Sequence, residues 1–230
     1  MSEISKPDLY RWCKIPAQQL ANHPELKCRL RIVANSEEMG QMMAQDLVDV
    51  IHANNGQNRP TRAIIPCGPK CWYQPFTDLV NSRNVSLRNL FVFHMDECLD
   101  WQGKRLPTNH PYNFRTFMEK HFYSGIKANL AVPEEQRFWL LPSTAEMVRT
   151  AISARSVDIT IGGWGQDGHI AYNQARRHPY SSIALDELAN SSIRIQENNF
   201  DTWSRGYRDI SRCYAILIQN AMSISRLNMI

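Results

Sequence analysis

The feature that most constrains this chain is an alternation of short apolar runs, each stopped by Pro, Gly or acidic residues, with stretches whose apolar residues recur at helical spacing. Residues 30–34 read as a strand, after which Ser36 caps a helix with Glu37 and Glu38 in its first turn and an apolar face at Met39, Met43, Leu47 and Val50. The run at 63–65 stops at Pro66 and Gly68 before a helical segment at 76–80. Residues 90–95 are almost wholly apolar, as expected of a strand covered on both faces, and end in Asp96 and Glu97 with a polar loop after them. Phe114, Phe117, Met118 and Phe122 suit a helix within 111–122, and 138–141 a strand. A further helix is expected over 144–155 with Met147, Val148 and Ile152 inward, then a buried strand at 157–161. Such a succession predicts an α/β fold, a doubly wound three-layer domain with a mainly parallel sheet and its ligand at the strand carboxyl ends. Past Tyr172 the reading is a polar loop to about Asn190, a strand at 193–195, a helix over 201–207 and a strand at 214–218.

A length of 230 residues with 43% apolar content supports one core. Residues 1–28 show no sustained period and read as an extension, with 29–230 as a single domain. The apolar stretch 227–230 resembles the start of a strand, so the chain reads as truncated at its carboxyl end. No apolar run approaches the roughly twenty residues a bilayer span needs, and the amino terminus lacks a signal-type apolar segment. Together with six cysteines at no repeated spacing, read as free thiols, this predicts a cytosolic protein without a membrane partner. The net charge of +4 is spread along the chain, which argues against nucleic acid and leaves room for a small anion held by a local cationic pocket.

Three segments at expected strand ends carry chemistry. In Pro66-Cys67-Gly68-Pro69-Lys70-Cys71 a glycine turn between strand and helix can point N–H groups at an anion, and Lys70 adds a charge. No second cysteine pair matches this one, so it is not a metal site. At Asp96-Glu97 a carboxylate in a partly closed cleft is suited to move a proton between neighbouring carbons, and the alternation of a strand lets only one of the two face that cleft. In the segment from Gly162 to Gln174, four glycines, Gly165 and Gly168 among them, let the backbone approach a ligand, while Asp167 and His169 flank one of them as a proton-handling pair.

With these residues in view, the chain resembles the glucosamine-6-phosphate deaminase (isomerase) family, within the larger group that includes the 6-phosphogluconolactonases. The resemblance rests on Met95-Asp96-Glu97, the 110–122 helix with Phe117-Met118, and Gly163-x-Gly-x-Asp-Gly-His-Ile-Ala-Tyr-Asn. Lactonases usually carry Asp-Glu-Arg and Gly-His-Thr-Ala-Ser at the second and third segments, so Cys98 and Ile170-Ala171-Tyr172-Asn173 favour the deaminase branch. The resemblance implies a sugar-phosphate substrate, no cofactor and no metal. Asp96 would move a proton between C1 and C2 of the open-chain sugar, His169 would assist ring opening and Asp167 would share that catalytic group. Gly68, Lys70, Gly165, Gly168 and Arg205 would bind substrate. A homo-oligomer is left open.

Departures from the family pattern accompany the match. Where the family shows Gly-Gly-Thr-Pro, only Gly68 is kept, and Pro69 removes an N–H donor that Lys70 would have to replace. Where it shows Asn-Glu-Pro, Asn173 is followed by Gln174, which can orient His169 but cannot stabilise its imidazolium by charge. The chain also stops before the segment that supplies a phosphate-binding lysine in relatives. The alternatives are therefore a 6-phosphogluconolactonase or sugar-phosphate isomerase of the same fold, and a catalytically weakened sugar-phosphate-binding regulatory protein.

Overall fold

The computed structural model describes residues 5–165, 169–174, 186, 190–198 and, for backbone alone, 214–218. Two short amino-terminal helices, α1 Lys6–Cys13 and α2 Ala17–Leu20, bury none of their residues. The long helix α3 Ser36–Gly56 follows, and it presses Met43, Leu47 and Ile51 into the core. Its cap is Asn35, one residue before the serine predicted for the role. Asn35 is still extended, its side-chain oxygen accepts the Glu38 N–H at 2.9 Å, and Glu38 in turn accepts the Ala34 N–H at 2.8 Å.

Then come β1 Thr61–Ile65, α4 Tyr73–Arg83, β2 Leu90–His94, β3 Asp96–Leu99, α5 Phe114–His121, β4 Arg137–Phe138, α6 Ala145–Ser153, β5 Ile159–Thr160, β6 Ile193–Glu197 and β7 Tyr214–Ile218. β1, β2, β4 and β5 form a parallel sheet in the order β4-β2-β1-β5. Side chains alternate across it: Ala63, Ile65 and Val92 pack with Leu47, Ile51 and Phe76 from α3 and α4, whereas Ile64, Phe93 and Met95 pack with Val148 and Ile152 from α6. Helices thus cover both faces, the doubly wound arrangement the alternation predicted. Arg62 ties one of them down, donating to the Ala151 carbonyl at 2.6 Å and the Ile152 carbonyl at 3.2 Å at the carboxyl end of α6. Among the described residues no helix is long and apolar enough to cross a membrane.

Four expectations change. Residues 30–34 make no strand: they pair with no described strand, Ile32 is 62% exposed, and Arg31 pairs with Asp46 on α3. The segment after Glu97 is β3 rather than a polar loop, because it pairs antiparallel with β7, Asp96 against Leu217 through Leu99 against Tyr214. β6 also pairs antiparallel with β7, so the last strands build a separate sheet, β3-β7-β6. Met147 is 51% exposed, since the buried face of α6 is set by Val148 and Ile152, four apart, and its neighbour lies about 100° away around the helix. The expected helix at 201–207 and the terminal stretch at 227–230 lie outside the described residues.

Candidate active site

The chain steps from β1 to β2 to β4 in one direction across the sheet and then returns to the far side of β1 as β5. That reversal is where open α/β sheets leave a crevice beyond the carboxyl ends of their strands. The register of Ile65 against His94 and Ile64 against Thr160 brings the chain after all three strands to one edge. A cleft of about 600 Å³ opens there, and Gly68, Lys70, Asp96, Gly165 and His169 all line it.

Asp96 and Glu97 part company as the strand alternation requires. Asp96 lines the cleft and is partly buried, and its carboxylate accepts no hydrogen bond from a described side chain. Burial, followed by the charge of Glu97, pushes its pKa up from 3.8 to about 7. Glu97 turns inward, 3% exposed, and accepts the N–H groups of Phe114 at 2.7 Å, Arg115 at 2.9 Å and Cys98 at 3.0 Å. Burial lifts it to about 7 as well, against the pull of those three donors. Asn113 takes the next orphan donor of α5, the Thr116 N–H at 2.9 Å, so the first turn of that helix is capped from two directions. Glu97 thereby fixes α5 to the strand bearing Asp96, and α5 brings Phe114 and Phe117 to the cleft wall.

The first loop is held from behind. A Cβ on Gly40 would stand 2.2 Å from the Cys71 carbonyl oxygen, so α3 meets this loop backbone to backbone. The Tyr73 hydroxyl donates to the Cys67 carbonyl at 2.6 Å. Burial, then the nearby Asp96, pushes the Cys67 thiol up to about 12, which keeps it protonated and unreactive. Lys70 is the one Lys or Arg among the described residues lining the cleft, and its Nζ stands 4.2 Å from the centre of the Phe117 ring. Cys13, Cys28, Cys67 and Cys71 are free thiols.

In the third loop Gly165 donates its N–H to the His169 carbonyl at 2.8 Å, and its bare Cα lets the imidazole lie against it: a Cβ there would be 2.3 Å from the ring. Gln174 is buried with its Nε2 3.2 Å from His169 Nδ1. An amide at this nitrogen orients the ring through one hydrogen bond without adding charge. Asp167, Gly168 and Arg205 lie outside the described residues. No group of three or more His, Cys, Asp or Glu stands together as metal donors among the described residues.

Reading by sequence found the three loops but missed much of the wall. Met39, Tyr112, Phe114 and Trp164 line the cleft beside them. Trp164 is 66% exposed at the mouth. The signal for Gly40 was present, a lone glycine inside an amphipathic helix, which marks a close approach. No comparable signal marks Glu97 as the anchor of α5.

Sheet order and cleft place the chain in the class of doubly wound α/β folds that open a ligand crevice where the strand order reverses. The solved structure of a monomeric glucosamine-6-phosphate deaminase superposes with a TM-score of 0.63 at 19% identity, covering 82% of this chain and 74% of that one. The 6-phosphogluconolactonase from Trypanosoma cruzi superposes at 0.57 with 14% identity, covering 89% and 80%. These likenesses establish the fold. No family model matches the chain.

Sequence narrows the class: the chain is related to the glucosamine-6-phosphate deaminases. It is 30% identical over 183 residues to that of Aliivibrio fischeri (strain MJ11), covering 75% of this chain and 65% of the relative. It is 31% identical over 185 residues to that of Aliivibrio salmonicida, covering 76% and 62%. The chain thus spans somewhat under two thirds of the length of these curated relatives.

Proposed function

We propose that this protein isomerises an aldosamine phosphate to a ketose phosphate with release of ammonia. The observation carrying the reading is that one cleft holds a carboxyl group poised near pH 7, Asp96, together with an oriented imidazole, His169. His169 handles the proton of ring opening, which frees the aldehyde at C1. Asp96 then takes the C2 proton, leaving an enolamine, and returns a proton to C1, leaving an imine at C2. Water adds to that imine and ammonia departs, so a ketose phosphate and one ammonia are formed for each water consumed. Lys70 and the turn at Gly68 take the phosphate, and Asp167, Gly168 and Arg205 complete the site. We read 29–230 as the single domain that does this in the cytosol.

The test is to offer the protein hexosamine and hexose phosphates and 6-phosphogluconolactone in deuterated water, following ammonia, exchange at C1 and C2, and thermal shift. Ammonia with exchange supports the reading; lactone hydrolysis without ammonia assigns the lactonase chemistry instead. The amide at Gln174 favours a second reading, a sugar-phosphate-binding regulatory protein, for which the same assay gives a thermal shift without turnover.

A further inference from the structure

The turn that follows His169 is built from the wrong residues for its shape. Ile170 and Asn173 face each other across it, with the Asn173 N–H donating to the Ile170 carbonyl at 2.8 Å. Between them Ala171 and Tyr172 both have positive φ, 54° and 53°. Two successive left-handed residues are the signature of the tight hairpin turn that Asn and Gly normally fill, and a bulky aromatic residue there is an outlier. Backbone of this kind persists where surrounding structure over-determines it and clusters at functional sites. The anchors are present: the Asn173 side chain also donates to the Ile170 carbonyl at 2.8 Å, the Gln196 amide donates to the Tyr172 carbonyl, and Ala171 is buried against the second core face.

What the strained turn delivers is a ring. Tyr172 stands beside His169 with centroids 5.3 Å apart and planes at 22°, and it also stacks on Phe114 at 6.3 Å and 13°. Phe114 opens α5, the helix whose first N–H groups are held by Glu97 next to Asp96. The imidazole is therefore bounded by the Gly165 backbone, the Tyr172 ring and the Gln174 amide, and the Tyr172 ring connects it to the element that also positions Asp96.

We propose that Tyr172 is a positioning residue for His169, and that the chain keeps Ala171 and Tyr172 in left-handed backbone to hold this ring against the imidazole. The consequence for turnover rests on the reading of His169 as the proton-handling group; the consequence for the imidazole itself does not. A neutral amide on Nδ1 makes the stacked ring matter more, because an uncharged hydrogen bond holds an imidazole less firmly than a charge-assisted one.

The experiment compares Tyr172→Phe, Tyr172→Asn and Tyr172→Gly in the full chain. Asn and Gly accept left-handed backbone without a ring, whereas Phe keeps the ring. The imidazole ¹⁵N signals of His169, assigned by their loss in His169→Gln, should match the unsubstituted protein in Tyr172→Phe. They should collapse toward tautomer-averaged values in Tyr172→Asn and Tyr172→Gly. Resistance to denaturant should be unchanged or higher in those two variants, with turnover at least tenfold lower and KM within about twofold. Gly165→Ala, whose added Cβ would stand 2.3 Å from the imidazole, should give the same averaged signals with Tyr172 in place. His169 signals in Tyr172→Asn identical to those of the unsubstituted protein, or a large loss of stability in both Tyr172→Asn and Tyr172→Gly, overturn the proposal. If no sugar phosphate releases ammonia, the proposed function fails while the ¹⁵N comparison still decides this one.

Discussion

Replacing Asp96 with Asn should make the protein more stable and less active, in a pH-dependent way that separates the two effects. Folding moves the Asp96 carboxyl from water into a cleft where it has no hydrogen bond from a described side chain and Glu97 lies beside it, raising its pKa from 3.8 to about 7. Below about pH 4 both folded and unfolded chains hold the proton, so the residue costs nothing by ionisation. Between the two pKa values the unfolded chain releases its proton while the folded chain keeps it, so stability falls as pH rises, by about 1.36 kcal/mol per unit. Above about pH 7 the loss levels off at about 4 kcal/mol, a ceiling because the cleft is open to solvent on one side. Glu97 shifts in the same direction, but it is present in both proteins and largely cancels in their difference. Urea unfolding at pH 5, 6, 7 and 8 should thus show the Asp96→Asn variant gaining on the unsubstituted protein by about 2 to 3 kcal/mol from pH 5 to 7 and little thereafter. Exchange of substrate C2 hydrogen with deuterium should fall at least 100-fold in the same variant, the lower end of what a general base contributes. A stability difference that stays flat or shrinks with rising pH would refute the burial argument, and exchange at the unsubstituted rate would refute the role.

Other substitutions probe the supports of the cleft. Lys70→Ala should weaken binding of a phosphosugar roughly tenfold, about 1.5 kcal/mol for an exposed charge-assisted contact, and leave the unphosphorylated sugar unaffected; isothermal titration with both ligands checks this. Gly40→Ala should destabilise the protein by about 1 to 3 kcal/mol although alanine is the better helix former, because the new Cβ meets a backbone carbonyl; a gain in urea midpoint would mean the loop yields freely. Gln174→Glu should raise turnover on the natural anomeric mixture, since a negative charge roughly 3 to 4 Å from His169 Nδ1 favours the imidazolium by about 1 to 3 kcal/mol. No gain, with phosphosugar binding intact, would shift the explanation toward a binding protein.

What the sequence determined by itself is whatever a local period encodes. Apolar runs placed β1 and β2, and β7 at 214–218, because burial on a strand is written into adjacent residues. The parallel alternation placed the loops after 65, 95 and 161 at one edge, since parallel strands with crossover helices must all end on the same side. The two-residue period sent Asp96 and Glu97 opposite ways, and the family pattern singled out Gln174 as the partner of His169. Tertiary structure decided what depends on partners distant in the chain. β3 became a strand because β7, more than a hundred residues later, pairs with it, and 30–34 failed to become one because it pairs with no described strand. Glu97 found its three donors, Gly40 its carbonyl, and Tyr172 its ring contacts with His169 and Phe114 only once the elements were assembled. A sequence period states which side of a residue is covered. The covering group, and the backbone strain accepted to bring it there, follow from loop closures and packing across the whole chain.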